Sequence, residues 1–201
     1  MDWKRLQEKA TASPGHLANT APRTVTASSP RPKRGDTEMG LDFLTGIANR
    51  RLFEYQGEKA LAMAQRHRDD LGLVLFRLDN LEEVALRRGV VQAKGLLKNV
   101  AFKLHRNARS HDTVGRLSRS RFAMLLPGAR EFGAHKFAVR LLSVLNEPDE
   151  GSEVRFVVSA AATATNSHSC TRFEQLSEHA TERLDQAIAA GGNRVISSFC
   201  Q

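Results

Sequence analysis

Residues 113–126 read Thr-Val-Gly-Arg-Leu-Ser-Arg-Ser-Arg-Phe-Ala-Met-Leu-Leu, two mainly apolar runs separated by a short polar segment. Each run, residues 113–117 and 122–126, has the length of a strand. The segment between them, Ser118-Arg119-Ser120-Arg121, is tight and polar, as a turn is. We therefore predict that residues 113–126 form a β-hairpin, and the other predicted elements are considered relative to it.

Helical and strand-like patterns alternate on both sides of this hairpin. Apolar residues recur at three- to four-residue spacing over residues 48–67, 91–104, 131–146 and 173–190, which predicts four helices. Short apolar runs at residues 71–78, 154–162 and 195–199 predict three further strands. This order predicts an α/β (α+β) fold in which helices pack on one central mixed sheet of about five strands.

The composition fits one folded domain and a tail. Of the 201 residues, 41% are hydrophobic and 26% are charged, which suits a packed core and excludes wholesale disorder. Four of the six prolines fall between residues 14 and 32, among Ser, Thr, Ala and Gly. Such a segment has too few large apolar residues for burial to offset the conformational entropy that it would lose on folding. We expect residues 1–40 to be a flexible, basic tail and residues 41–201 to be the folded domain.

The charge balance leaves two interpretations open, an anionic partner or a basic surface that is simply solvated. Lys and Arg number 30 against 22 Asp and Glu, a net charge of +8, and this field attracts nucleic acid, nucleotides or an acidic surface alike. The chain has no run of about 18 apolar residues and no secretory signal, and Cys170 and Cys200 lack the spacing of metal ligands. We expect a cytoplasmic protein with no membrane insertion, no metal site and two inert thiols.

Three segments resemble a known family. Residues 42–51, Asp-Phe-Leu-Thr-Gly-Ile-Ala-Asn-Arg-Arg, resemble the Asp-x-Leu-Thr-Gly-Leu-x-Asn-Arg-Arg opening of GGDEF domains, the diguanylate cyclase family. Residues 159–161 and 189–195 are similar to the last strand and the Gly-x-Asn-Arg-Val ending of that family. The resemblance covers residues 41–199 and implies a nucleotidyl-cyclase-like fold with a mostly antiparallel sheet.

The family signature, Gly-Gly-Asp/Glu-Glu-Phe, belongs at the predicted hairpin turn but is replaced in this chain. The resemblance implies that in active members the glycines let the backbone approach the nucleotide. It also implies that the acidic pair ligates metal and activates the 3′-hydroxyl for attack on GTP. We expect the surviving phenylalanine to be a core residue. The degenerate signature comprises Ser118, Arg119, Ser120, Arg121 and Phe122, of which only Phe122 matches the family pattern.

Other substrate positions implied by the resemblance have changed as well. Arg77 stands where a metal-binding carboxylate is expected, and a fixed guanidinium repels Mg²⁺. Ala85 and Lys94 stand where an Asn and an Asp read guanine, and neither offers an amide or carboxylate edge. The resemblance therefore predicts a protein that is not an enzyme and that needs no Mg²⁺ or other cofactor.

One ligand site of the family is retained. Residues 109–112 read Arg-Ser-His-Asp and lie where active members carry an Arg-x-x-Asp inhibitory site (I-site) for the product, cyclic di-GMP (c-di-GMP). Residues 66–69 form a second Arg-x-x-Asp, so the position of the motif carries the prediction rather than the motif alone. Arg140 falls where the family has a third ligand-binding arginine. The guanidinium of Arg109 suits guanine O6 and N7, and Asp112 can accept from N1 and N2.

These patterns predict a degenerate GGDEF receptor or effector for this bacterial second messenger. It would bind c-di-GMP through Arg109, Asp112 and Arg140 and signal through contact with a protein partner or a second copy. The alternative is a pseudoenzyme scaffold with no nucleotide ligand, in which the same three residues form ordinary surface ion pairs. We do not expect nucleic acid to be a partner. Asp42 and Arg50 are expected to brace the first helix against the sheet.

Overall fold

The computed structural model describes residues 40–148, 156–165 and 170–200. The chain divides after Asp36, and all described residues belong to the unit Thr37–Gln201. The predicted tail, residues 1–40, lies outside the described residues apart from Gly40, so this part of the domain prediction stays a prediction.

A six-stranded mixed sheet forms the centre of the domain. Its strand order is β1-β3-β4-β2-β5-β6; the β1–β3 and β5–β6 pairs are parallel and the other three pairs are antiparallel. The predicted class, a mixed and mostly antiparallel sheet flanked by helices, is confirmed, with one strand more than expected. The strands are β1 (Ala48–Asn49), β2 (Leu71–Leu78), β3 (Thr113–Arg116), β4 (Arg121–Pro127), β5 (Val158–Thr165) and β6 (Val195–Cys200).

Within the described residues five helices cover the sheet, one more than predicted. They are α1 (Arg50–His67), α2 (Leu81–Arg88), α3 (Val90–Asn107), α4 (Glu131–Asn146) and α5 (Phe173–Ala189). The extra helix, α2, is short and is separated from α3 by Gly89, whose φ of +89° is a conformation that glycine adopts at little cost.

Most boundaries agree with the predictions to within three residues, and two differences have a clear structural cause. The start of the predicted first helix, residues 48–49, is strand β1, because Asn49 caps α1 by accepting from Leu52 N at 3.0 Å. Strand β5 begins at Val158 rather than at residue 154 and runs to Thr165, because it pairs with β2 from Leu78–Val158 to Gly72–Ala164. Residues 154–155 lie outside the described residues.

Two apolar layers enclose the sheet. Because side chains alternate along a strand, Val74 and Phe76 of β2 pack under α2, α3 and α4, while Leu73 and Leu75 pack under α1 and α5. Both faces of β2 are therefore buried, which explains its continuous apolar sequence.

Two further observations bear on expectations drawn from the sequence. No helix within the described residues is long and apolar enough to cross a bilayer. Cys170 is buried and disulfide-bonded, so the expectation of an inert free thiol is wrong at this residue.

Candidate functional site

The hairpin tip between β3 and β4 is closed by main-chain hydrogen bonds. Leu117 N and Ser118 N both donate to Arg121 O, at 2.9 and 3.3 Å. Leu78 N donates to Ser120 O at 3.0 Å, which ties the tip to the end of β2. Residues 118–121, where the resemblance places the family signature, therefore lie at one end of the central strands, beside the start of α2.

Arg116, the last residue of β3, anchors the hairpin tip through hydrogen bonds from its guanidinium. Its Nη1 donates to both carboxylate oxygens of Asp42, at 3.1 and 3.3 Å. Its Nε and Nη2 donate to the carbonyl oxygens of Ser118 and Arg119, at 3.2 and 3.0 Å. One largely buried guanidinium thus fixes the turn before α1 and the hairpin tip together.

Asp42 is held as a carboxylate in this cluster. Burial raises its pKa, but the hydrogen bonds from Thr45 and the pairing with Arg116 outweigh burial, so the pKa lies below its usual value. Asp42 therefore braces the turn before α1 against β3, as expected. Arg50 does not, because it pairs with Glu54 on its own helix at 2.7 Å and its side chain is exposed.

Two arginines lie where the resemblance implies metal-ligating acids. Arg77 of β2 is the direct cross-strand partner of Arg121 of β4. Each is compensated by a neighbouring carboxylate: Arg77 Nε lies 3.8 Å from Asp79 Oδ1, and Arg121 Nη2 lies 3.2 Å from Asp185 Oδ1. Of the three positions at which the resemblance implies metal-ligating acids, 77 and 121 thus hold positive charge and 120 is a neutral serine.

The remaining hairpin residues fit a structural role. Arg119 at the exposed tip lies 4.0 Å from Glu82, a weak surface contact. Phe122 is fully buried in the sheet core, as expected. Among the described residues, no group of three or more His, Cys, Asp or Glu side chains is arranged to hold a metal ion.

The predicted I-site segment lies at the opposite end of β3, in the connection from α3. Asp112 and Arg109 close a tight turn, in which Asp112 Oδ2 accepts from Arg109 N at 2.7 Å and Asp112 N donates to Arg109 O at 3.1 Å. The guanidinium of Arg109 is exposed and has no ion-pair or hydrogen-bond partner among the described residues. The structure thus brings Arg109 and Asp112 together while leaving this guanidinium free.

Arg140 approaches the same segment from α4. Its Nη1 lies 3.4 Å from Oδ1 of Asn107, the last residue of α3 and two residues before Arg109. Its guanidinium carbon lies 5.2 Å from the centre of the Phe137 ring, within cation–π range. All three predicted ligand residues therefore lie at one end of the domain, away from the hairpin tip.

Two cavities flank Arg109 and Asp112. One, of about 410 Å³, is also lined by Phe132, Phe137 and Arg130. The other, of about 420 Å³, is also lined by Gln56 and His105. Both fall in the range of small-molecule pockets, roughly 300–1,000 Å³.

Sequence reasoning missed several of these lining residues. Gln56 is the most informative, because its Oε1 is buried without a hydrogen-bond partner among the described residues. A buried acceptor without a partner is costly, and the side chain that carries it lines the second cavity. Gln56 lies on α1, far from the motif in sequence, so spacing gave no signal. Phe132 could have been suspected, since it is a large apolar residue that the helical pattern of residues 131–146 leaves outside.

Comparison with known proteins gives a family match over most of the chain. The family model for the diguanylate cyclase, GGDEF domain, matches residues 39–194. Diguanylate cyclase DgcS of Shewanella oneidensis is 29% identical over 152 residues, which make up 76% of this chain and 50% of DgcS. The chain therefore spans about half the length of this relative.

Two solved structures share the fold. The GGDEF domain of DgcB from Caulobacter crescentus, in complex with c-di-GMP, has a TM-score of 0.73 at 18% identity. The match covers 80% of this chain and 96% of the DgcB chain. Diguanylate cyclase SiaD from Pseudomonas aeruginosa, in complex with its activator SiaC, has a TM-score of 0.73 at 22% identity and covers 79% of this chain and 61% of its own. With the family match extending over residues 39–194, the chain belongs to the diguanylate cyclase family of GGDEF domains.

Proposed function

We propose that this chain is a degenerate GGDEF domain that binds c-di-GMP as a cytoplasmic receptor and has no diguanylate cyclase activity. The observation that carries the proposal is the unpaired guanidinium of Arg109, which lies between two cavities with Asp112 beside it. Its output would be contact with a protein partner or a second copy.

The residue types at this end of the domain suit a guanine nucleotide. Arg109 offers a rigid fork of donors for guanine O6 and N7, and it also neutralises phosphate. One oxygen of Asp112 is engaged by Arg109 N, which leaves the other to accept from guanine N1 and N2. Arg140 adds a second guanidinium, and the GGDEF domain of DgcB is solved with c-di-GMP.

The absence of cyclase activity is inferred from charge. Two Mg²⁺ ions require hard oxygen ligands, whereas Arg77 and Arg121 face each other at two of the three positions where the family pattern has metal-ligating acids, and Ser120 stands at the third. The half-buried Ala85 and the exposed Lys94 offer no guanine-reading edge at the two guanine-binding positions. Purified protein with GTP and Mg²⁺ should release no pyrophosphate, and turnover above the rate without protein would refute this half of the proposal.

Calorimetric titration with c-di-GMP tests the receptor half, with GTP and cyclic GMP as specificity controls. We expect selective binding by the wild-type protein and at least a tenfold loss in Arg109→Ala. The matched control is Arg66→Ala, since residues 66–69 form the other Arg-x-x-Asp of the chain. Equal affinity of both variants and the wild type would overturn the site assignment, provided that circular dichroism shows all three folded.

The scaffold alternative is favoured by one observation, the engagement of Asp112 Oδ2 by the main chain of its own turn. It predicts that no heat of binding is seen with c-di-GMP at any accessible concentration. In that case the partner search should use the hairpin tip, where Arg119 and Arg121 are partly exposed.

A further inference from the structure

The outward side of α3 carries basic and large apolar residues together. At 3.6 residues per turn, the side chains at positions 91, 94, 98, 102 and 106 project from the same side of the helix. All five are exposed, whereas the opposite side of α3 is buried against the sheet through Leu97, Val100 and Leu104. We call these five residues the α3 face: Val91, Lys94, Lys98, Phe102 and Arg106.

The positive charge of the α3 face is not compensated. Helix α3 contains no Asp or Glu at any of its 18 positions. The side chains of Lys94, Lys98 and Arg106 make no ion pair with any described residue. Some exposed arginines elsewhere do have partners, as Arg87 pairs with Glu83 at 3.0 Å and Arg130 pairs with Asp70 at 3.2 Å. Within the part of the chain that the structure describes, the α3 face therefore carries three cationic side chains without an ion-pair partner.

Large apolar side chains lie within the same surface. Val91 is 84% exposed and Phe102 is 60% exposed. At the adjoining α2–α3 junction, Leu86 is 89% exposed and Val90 is 61% exposed. Single exposed apolar residues are common, but several of them interspersed with basic residues on one side of a helix indicate an interaction site.

We propose that the α3 face docks on an anionic lipid bilayer. A bilayer surface satisfies both components, because headgroup phosphates attract Lys94, Lys98 and Arg106 while Val91 and Phe102 reach the acyl boundary. Val91 and Phe102 are eleven positions apart, about 16 Å along the helix at 1.5 Å per residue, and a flat surface can contact both at once.

Other polyanions fit this surface less well. Duplex nucleic acid is bound through phosphate contacts from basic and polar groups, so Val91, Phe102 and Leu86 would gain little from it. The α3 face also lies on the side of the sheet opposite α1 and α5. None of its five residues belongs to the hairpin tip or to the three proposed ligand residues, so the membrane proposal does not rest on c-di-GMP binding.

Co-sedimentation of the full chain with vesicles tests the proposal. We expect binding to vesicles of mixed phosphatidylcholine and phosphatidylglycerol, weakening as salt screens the charges, and no binding to phosphatidylcholine alone. Neutralising two lysines in Lys94→Gln/Lys98→Gln should weaken binding about 25-fold, about fivefold for each charge. Phe102→Ser should weaken it about tenfold.

The chain offers matched controls on the opposite side of the sheet. Lys59→Gln/Arg66→Gln removes the same charge from α1, and Met63→Ser removes an apolar side chain whose exposure, 60%, equals that of Phe102. Both controls should bind vesicles as the wild type does. Equal losses in the α1 and α3 variants would overturn the proposal, because net charge alone would then explain binding. Retention on duplex DNA without vesicle binding would also overturn it and assign the surface to nucleic acid.

Discussion

Arg77 of β2 lies directly across the strand pair from Arg121 of β4. Like charges at such a position disfavour the sheet, and in this chain the cost is offset by carboxylates beside the pair, Asp79 at 3.8 Å and Asp185 at 3.2 Å. The place where the family pattern predicts bound cations is thus occupied by the protein's own cationic groups.

Reversing these two charges should create a cation site. In Arg77→Asp/Arg121→Glu, two carboxylates face each other beside Asp79, which gives Mg²⁺ a set of hard oxygen ligands. We expect the thermal midpoint of the variant to rise by a few degrees on addition of Mg²⁺, because the ion binds only the folded state.

The wild-type midpoint should not respond to Mg²⁺. Lys59→Asp/Arg66→Glu makes the same change in net charge on α1 and serves as the control. If Mg²⁺ raises the midpoint of this control as much as that of the hairpin variant, the effect is general charge screening and the cross-strand relationship is irrelevant.

Removing the charge of Asp42 should destabilise the domain. Asp42→Asn weakens the contact with Arg116, so we expect the free energy of unfolding at neutral pH to fall by about 1–2 kcal/mol. Because folding lowers the pKa of Asp42, its contribution is complete above the unfolded pKa of about 3.9 and is lost as the pH falls through the folded value.

Urea unfolding of the wild type and Asp42→Asn at neutral and acid pH measures this contribution. The gap between the two proteins should close as the solution is acidified. Glu54→Gln is the control, since its pair with Arg50 is exposed and should contribute less than about 0.5 kcal/mol. A difference in the free energy of unfolding that is constant with pH would mean that Asp42 contributes through packing and not through its charge.

Two glycine substitutions should have opposite effects on stability. A β-carbon at Gly115 would overlap the ring of Phe53, which is 1% exposed, so Gly115→Ala should cost about 1–3 kcal/mol. A β-carbon at Gly95 on α3 meets nothing within 4 Å, so Gly95→Ala should add roughly 0.5–1 kcal/mol. Chemical denaturation measures both, and a stable Gly115→Ala protein would mean that Phe53 can move aside.

Replacing Gln56 should separate stability from ligand affinity. Gln56→Met removes the buried acceptor that lacks a partner, so we expect the unliganded protein to gain about 1 kcal/mol. Under the proposed function the affinity for c-di-GMP should fall about fivefold, as a ligand donor loses its acceptor. Calorimetry checks the second value, and unchanged affinity would exclude Gln56 from the ligand site.

The fold was largely predictable where the periodicity was long and uninterrupted. Helix α4 has the predicted limits, and the hairpin and β2 follow from apolar runs that end in polar residues. The short elements were not predictable, because β1 has two residues and α2 has eight. Their formation depends on pairing with β3 and packing on the sheet rather than on a local pattern.

The candidate site was predictable only as a set of positions. The motif located Arg109 and Asp112, and the resemblance located Arg140, but the main-chain contact that engages Asp112 belongs to the geometry of its turn. Gln56 lines the neighbouring cavity because the fold brings α1 close to residues 105–114, which are distant in sequence. The pairing of Arg77 with Arg121 required the register of two strands, which spacing does not give.

Arg116 supports the hairpin tip through main-chain oxygens, and this has a consequence for how the domain can evolve. The carbonyl groups of Ser118 and Arg119 are present whatever side chains those positions carry. Substitutions of Ser118 and Arg119 therefore leave this anchoring intact, and selection on folding preserves the buried Phe122 of the signature rather than these two residues. In a lineage in which catalysis was no longer required, residues 118 and 119 could be replaced one at a time while every intermediate sequence still folded.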